Sequence, residues 1–255
     1  MRLNLYSFSE SKEDNIFYLK TAGLLALFIF TLCFMDNCKA QKNDNNHNTA
    51  IEILPTFKGK QILKNKWYIT SSGDSIQISK LRFYLTDFEL YNTQDKRLPI
   101  PKSNHLIDAF DKKTLIFELP TDQKHNFSQI MYKIGVDEKL HDAGAQSGDL
   151  DPIHGMYWAW QSGYINFKIE GESPSCPTRK NRFTFHIGGY KSPHSTTRNH
   201  TLDLKDRLAS TLKIEVDVAV FFKDIKLSET NQIMIPGEAA YQQSLKFPLL
   251  FSIPK

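Results

Sequence analysis

From Leu212 to Val220 the chain alternates: Leu212, Ile214, Val216, Val218 and Val220 are apolar, and Lys213, Glu215 and Asp217 between them are charged. Successive side chains of a strand point to opposite faces, so this pattern makes one buried face and one wet face. On a helix the same residues would be scattered around the circumference. The two-residue period returns at Ile165, Phe167 and Ile169, and again at Phe183, Phe185 and Ile187. The stretch 76–91 is rich in β-branched and aromatic residues and predicts one or two long strands; 51–57, 115–119, 130–136 and 249–253 supply more. Turn signals separate them, at Ser72-Gly73-Asp74, Leu98-Pro99-Ile100-Pro101, Gly148-Asp149 and Ile235-Pro236-Gly237. Helical periodicity is sparse, with 128–132 and 237–245 the stretches where a short helix fits. Many short strands punctuated by turns predict an all-β fold, an antiparallel β-sandwich with Greek-key-like connections and few short helices.

The apolar run 22–34 is shorter than the roughly 20 residues that span a bilayer. Lys20 precedes it and the small residue Ala40 follows, so 1–40 reads as a secretory signal peptide cut near Ala40-Gln41. The polar stretch 41–49 reads as a disordered leader and 50–255 as one β domain. On this reading the mature chain has no membrane span. The net charge of +4 survives cleavage, because Arg2, Lys12, Lys20 and Lys39 balance Glu10, Glu13, Asp14 and Asp36. No like-charged block or arginine-rich strip stands out, which argues against a nucleic-acid partner. Cleavage also removes Cys33 and Cys38. The remaining Cys176 has no internal disulfide partner. Its setting, Ser173-Pro174-Ser175-Cys176-Pro177, predicts an exposed loop thiol, incidental or else a soft metal donor.

No nucleophile elbow, phosphate loop, HExxH or paired CxxC occurs. The acidic residues Asp137, Glu138, Asp142, Asp149 and Asp151 lack EF-hand spacing and read as a solvated loop. Two segments carry the remaining chemistry. His154 leads into Gly155-Met156-Tyr157-Trp158-Ala159-Trp160-Gln161-Ser162-Gly163-Tyr164, and His186 lies in Phe183-Thr184-Phe185-His186-Ile187-Gly188. Alternation turns His186 away from the core stripe, either to solvent or to the wall of a site. Trp158 and Trp160 point to one side if the chain is extended there, either as core packing or as redox-reactive indoles beside a metal. Imidazoles suit copper and zinc, but two histidines do not define a metal. His105, His125, His141, His194 and His200 follow no ligand spacing and are expected at the surface.

The Gly155–Tyr164 block and Phe183–Gly188 resemble the MbnP-like family of exported copper-binding proteins. So do Leu81–Phe88, Leu106-Ile107-Asp108, Ile134–Asp137 and Phe251-Ser252-Ile253. The resemblance implies a non-enzymatic protein of the periplasm or outer envelope that binds copper as Cu(I), for acquisition, storage or delivery. It also implies a tryptophan oxidised to kynurenine by a MauG-like di-haem partner, the new aniline nitrogen joining histidines at the metal. Carried over by motif, Trp158 and Trp160 are the indoles and His186 a ligand; His154 is a local candidate ligand, and Trp67 an alternative indole outside the block. The competing reading is an envelope β-sandwich that packs or docks through these residues without a metal.

Overall fold

The computed structural model describes residues 48–94, 96–98, 100–121, 127–160, 163–204 and 211–254. The expected signal segment 1–40 and residues 41–47 of the expected leader lie outside the described residues, as do 122–126, which include His125. Asn48 and Thr49, read from sequence as the end of the leader, already belong to the first strand.

The strands are β1 (Asn48–Phe57), β2 (Lys60–Gln61), β3 (Trp67–Ile69), β4 (Ser75–Asn92), β5 (Arg97–Leu98), β6 (Asn104–Asp108), β7 (Ile116–Pro120), β8 (Phe127–Ile134), β9 (Tyr157–Trp158), β10 (Gly163–Glu172), β11 (Arg182–Gly188), β12 (Arg198–Asp203), β13 (Thr211–Asp217), β14 (Gln232–Ile233) and β15 (Phe251–Ser252). The helices are α1 (Glu138–Asp142), α2 (Glu238–Ser244) and α3 (Phe247–Leu250). The fold is all-β with few short helices. Its sheets are mixed, because β1 runs parallel to β13 and β11 parallel to β14. The helix expected at 237–245 forms; the one expected at 128–132 does not. Ile130, Tyr132 and Ile134 alternate into the core as part of β8, and tertiary pairing overrides a weak local pattern.

The smaller sheet centres on β1, with β13 and β15 to one side and β2 and β7 to the other. The larger is organised by the 18-residue β4. Overlapping registers place β10 and then β8 end to end along one edge of β4, with β3, β6 and β5 along the other. The alternating apolar residues of both sheets meet in one core: Ile51 and Ile53 from β1, Leu81 and Phe83 from β4, Phe167 from β10, Phe185 from β11 and Ile214 from β13 are all 0–1 % exposed. Phe167 stacks on Phe83, Phe221 and Phe247, which ties the larger sheet to α3.

The outer face of the larger sheet positions the candidate site. Over one end lies the segment 137–160, which builds a second small core from Tyr84, Val136, Leu150, Met156, Trp158 and Tyr164. The rest of that face is polar.

Candidate functional site

Cross-strand register lays charged residues in rows on this outer face. Asp108 of β6 pairs with Arg82 of β4, Arg82 with Lys168 of β10, and Lys168 with His186 of β11. Paired residues in a ladder share a face and lie close enough to interact. Arg82 Nε donates to Asp108 Oδ2 at 2.7 Å and Arg82 Nη1 to the His154 carbonyl at 2.6 Å. Lys168 Nζ donates to the Gly155 carbonyl at 2.8 Å and lies 3.5 Å from Glu170 Oε1. Two cations of the sheet therefore clamp the carbonyls where the tryptophan segment begins. Burial pushes the Lys168 pKa down, opposed by Glu170 and reinforced by Lys80 and Arg82.

His186 is 9 % exposed, and its Nε2 lies 2.8 Å from Glu170 Oε1. That hydrogen bond, with help from Lys80 and Lys168 against the cost of burial, holds the Glu170 pKa down to about 2. An ionised carboxylate only accepts, so Nε2 donates to Glu170, and Nδ1 is the ring nitrogen left for another partner.

The tryptophan segment leaves a 3-10 turn, 152–154, N-capped by Asp151 and closed by Gly155 in the left-handed region at φ 65°. The two indoles part there. Trp158 pairs with Gly163 in the β9–β10 ladder and is 7 % exposed; Trp160 lies in the following turn and is 63 % exposed, the ring centroids 5.8 Å apart. The Trp158 ring lies on Gly188: a β-carbon built there would come 2.7 Å from Cζ3 and 2.9 Å from Cη2. Only glycine admits the indole. Gly188 follows His186 by two residues on the same face of β11, a rise of about 6.6 Å. Fold and register thus bring Trp158 and His186 to one face of β11, the indole over Gly188 and the imidazole two residues before it.

His154 contributes differently. Its backbone joins the clamp, while its Nε2 meets the Gly148 carbonyl at 3.1 Å. Trp67 stands apart on β3, 50 % exposed. Two histidines expected at the surface come near the tryptophan segment, His141 buried and His194 with its side chain still 41 % exposed. His141 is 1 % exposed, accepts the Tyr164 N–H on Nδ1 at 3.0 Å, stacks on Tyr190 at 4.5 Å, and is pushed down to a pKa of about 4 mainly by burial. His194 shares with Trp158, Tyr190 and Pro236 a cavity of about 270 Å³. No spacing betrays either residue, since His141 comes from the short helix α1 and His194 from the loop after β11. His105 and His200 are also half-buried, His105 against Phe117 and His200 against Tyr132.

Cys176 corrects another expectation. It is 3 % exposed in the main core, and burial pushes its thiol up to about 11, which removes it as a thiolate donor. The turn signals around it were real, but the loop folds inward. The acidic loop is structural: Asp137 and Asp151 cap helical turns, and Asp149 Oδ2 accepts the Leu106 N–H. Among the described residues no group of three or more His, Cys, Asp and Glu side chains converges as a metal site.

The MbnP family profile matches residues 46–235. This chain belongs to the MbnP family. The solved structure of MbnP from Methylosinus trichosporium aligns with a TM-score of 0.53 at 17 % identity, over 71 % of this chain and 79 % of that one, a likeness of fold. The search of curated proteins returned no significant match. The family match takes in the whole Trp158–His186 face of this MbnP family member. Among its described residues no helix is long and apolar enough to cross a membrane.

Proposed function

We propose that this MbnP family member is an exported, non-enzymatic copper-binding protein that takes up, stores or delivers Cu(I) at the Trp158–His186 face. The carrying observation is the His186–Glu170 pair. Metal-binding histidines characteristically donate their second ring N–H to a carboxylate, which fixes the tautomer and raises the basicity of the ligating nitrogen. Here that arrangement leaves Nδ1 of His186 free, on the face that holds the buried family tryptophan. Among the described residues the encoded side chains alone do not form a chelate of three or more His, Cys, Asp and Glu donors. The reading therefore needs a further donor, and Trp158 supplies it once oxidised to kynurenine: the C2–C3 bond of the indole breaks, each carbon gains an oxygen atom from a peroxide-class oxidant that leaves as water, and hydrolysis releases C2 as formate and frees an aniline nitrogen. A MauG-like di-haem enzyme is the proposed catalyst, and the exposed Trp160 against Trp158 is the surface it would meet. His154 and His194 are the next imidazoles. His154 would have to leave the Gly148 carbonyl; His194 already lines the Trp158 cavity, with Nε2 3.0 Å from Glu238. Imidazole suits copper, and a site of few donors beside the buried Trp158 ring suits Cu(I).

The test is to purify the mature protein from a host that also expresses the di-haem enzyme, then measure copper stoichiometry and intact mass. Copper near one equivalent with a mass change mapped to Trp158 supports the reading. An unmodified chain with background copper refutes it, and leaves the fold as a scaffold that uses Trp158 for packing.

A further inference from the structure

Beyond the His186–Glu170 pair, the same sheet face carries residues that the copper reading does not use. There a second row crosses four strands: Trp67 of β3 pairs with Gln77 of β4, Gln77 with Glu172 of β10, and Glu172 with Arg182 of β11. The four side chains share the outer face. Beside the row lies a groove of about 550 Å³, within the range of about 300–1,000 Å³ usual for small-molecule clefts. Asn65, Gln77, Glu172, Arg182 and Thr184 line it, and none of these side chains makes a hydrogen bond or ion pair with another described residue. Glu170 and His186 form its inner wall, already paired with each other.

The chemistry of the lining selects a ligand class. Amide, hydroxyl, carboxylate and guanidinium groups offer donors and acceptors in plenty. The free charges, Glu172 and Arg182, oppose one another and cancel, and Glu170 is neutralised by Lys80 at 3.0 Å. A strongly charged ligand gains little in such a groove, and an apolar one would strand its polar groups. Trp67 does not line the groove itself; it pairs with Gln77, which does, and is 50 % exposed, an unusual cost for a large indole in the first of the four strands. An exposed indole beside a groove of unpaired amide and carboxylate groups matches a molecule with an apolar ring face and a periphery of hydroxyls.

We propose that this groove binds a neutral oligosaccharide, with Trp67 as the platform for one sugar ring and Gln77, Glu172 and Arg182 hydrogen-bonding the hydroxyls of the next. The groove shares Glu170 and His186 with the proposed copper site as its inner wall, while Trp67, Gln77, Glu172 and Arg182 have no part in the copper reading.

The experiment is affinity gel electrophoresis of the full-length mature protein through gels containing soluble neutral polysaccharides (a mixed-linkage β-glucan, a xylan, a galactomannan and a starch), with a copper chelator present throughout. Wild type is expected to be retarded by at least one of them. Trp67→Ala should weaken that retardation about tenfold or more, as truncation of an aromatic anchor does, and Glu172→Gln by a smaller factor. Trp160→Ala should leave it unchanged. Trp67 is exposed, so its variant keeps the fold, which thermal melting checks. Retardation by none of the polysaccharides overturns the proposal, as does retardation that Trp67→Ala leaves intact or that Trp160→Ala abolishes.

Discussion

Gly188→Ala is the substitution that bears most directly on the Trp158–His186 face. The new methyl would stand 2.6 Å from the Tyr164 carbonyl oxygen and 2.7 and 2.9 Å from two carbons of the Trp158 ring. The carbonyl is backbone of the neighbouring strand and retreats only by opening the β10–β11 ladder. The indole is 7 % exposed and backed by Trp160, so it swings away only by leaving the second core. Overpacking of this kind costs about 1–3 kcal/mol, and with a backbone contact involved the upper half applies, about 2–3 kcal/mol. In a domain of this size each kcal/mol moves the melting temperature by about 2–4 °C, so a fall of about 4–12 °C is expected in a calorimetric or circular-dichroism melt. Tryptophan emission should shift to the red as Trp158 is displaced. Combining Gly188→Ala with Trp158→Ala removes the ring half of the clash, so the double variant should be less destabilised than the sum of the singles by about 0.5–3 kcal/mol. A Gly188→Ala protein within 0.5 kcal/mol of wild type, additive with Trp158→Ala, would show that the indole does not rest on β11, and the neighbourhood of Trp158 and His186 would fall with it.

Glu170 gives a pH signature. Its pKa in the folded protein is about 2 against a usual 4.5, so the unfolded chain takes up the proton first. The stabilisation is present above about pH 4.5 and is lost as pH falls toward 2. For a side chain a quarter exposed it is worth at most on the order of 3 kcal/mol, reduced by solvent screening. Urea unfolding of Glu170→Gln should show a flatter decline over that range, and a decline as steep as wild type would remove the His186–Glu170 pair from the account. Cys176, buried with its thiol raised to about 11, should react with a thiol reagent at neutral pH only after denaturation, and prompt labelling of the native protein would contradict its burial.

The strands were legible where one face is buried and the other wet. Leu212–Asp217, Phe183–Ile187 and Ile165–Ile169 declared themselves by alternation, and β4 by its run of β-branched and aromatic residues. Alternation also turned His186 away from the core, onto the face where the structure has it. It is blind to what lies opposite, so the partner Glu170 was not legible. That partner depends on the β10–β11 register, with a bulge between Ile165 and Phe167 that no single strand reveals. The split between Trp158 and Trp160 was hidden for a similar reason. Two residues apart implies one face only while the chain stays extended, and here the strand ends at Trp158 and a turn carries Trp160 outward. Cys176 sits in a loop rich in turn residues, a composition that marks the turns but not whether a loop folds inward, and His141 sits on α1, whose five residues are too few for a buried face to show as periodicity.

The central claim is that His186, oriented by Glu170, ligates copper on the face of Trp158. Anaerobic competition titration of the mature, partner-processed protein against a chromogenic Cu(I) chelator tests it most directly, comparing wild type with His186→Ala and Glu170→Gln. The account predicts one tightly bound Cu(I) in wild type, its loss in His186→Ala, and an affinity about 10–100-fold weaker in Glu170→Gln. Copper bound equally well by all three proteins, or by none, would contradict it.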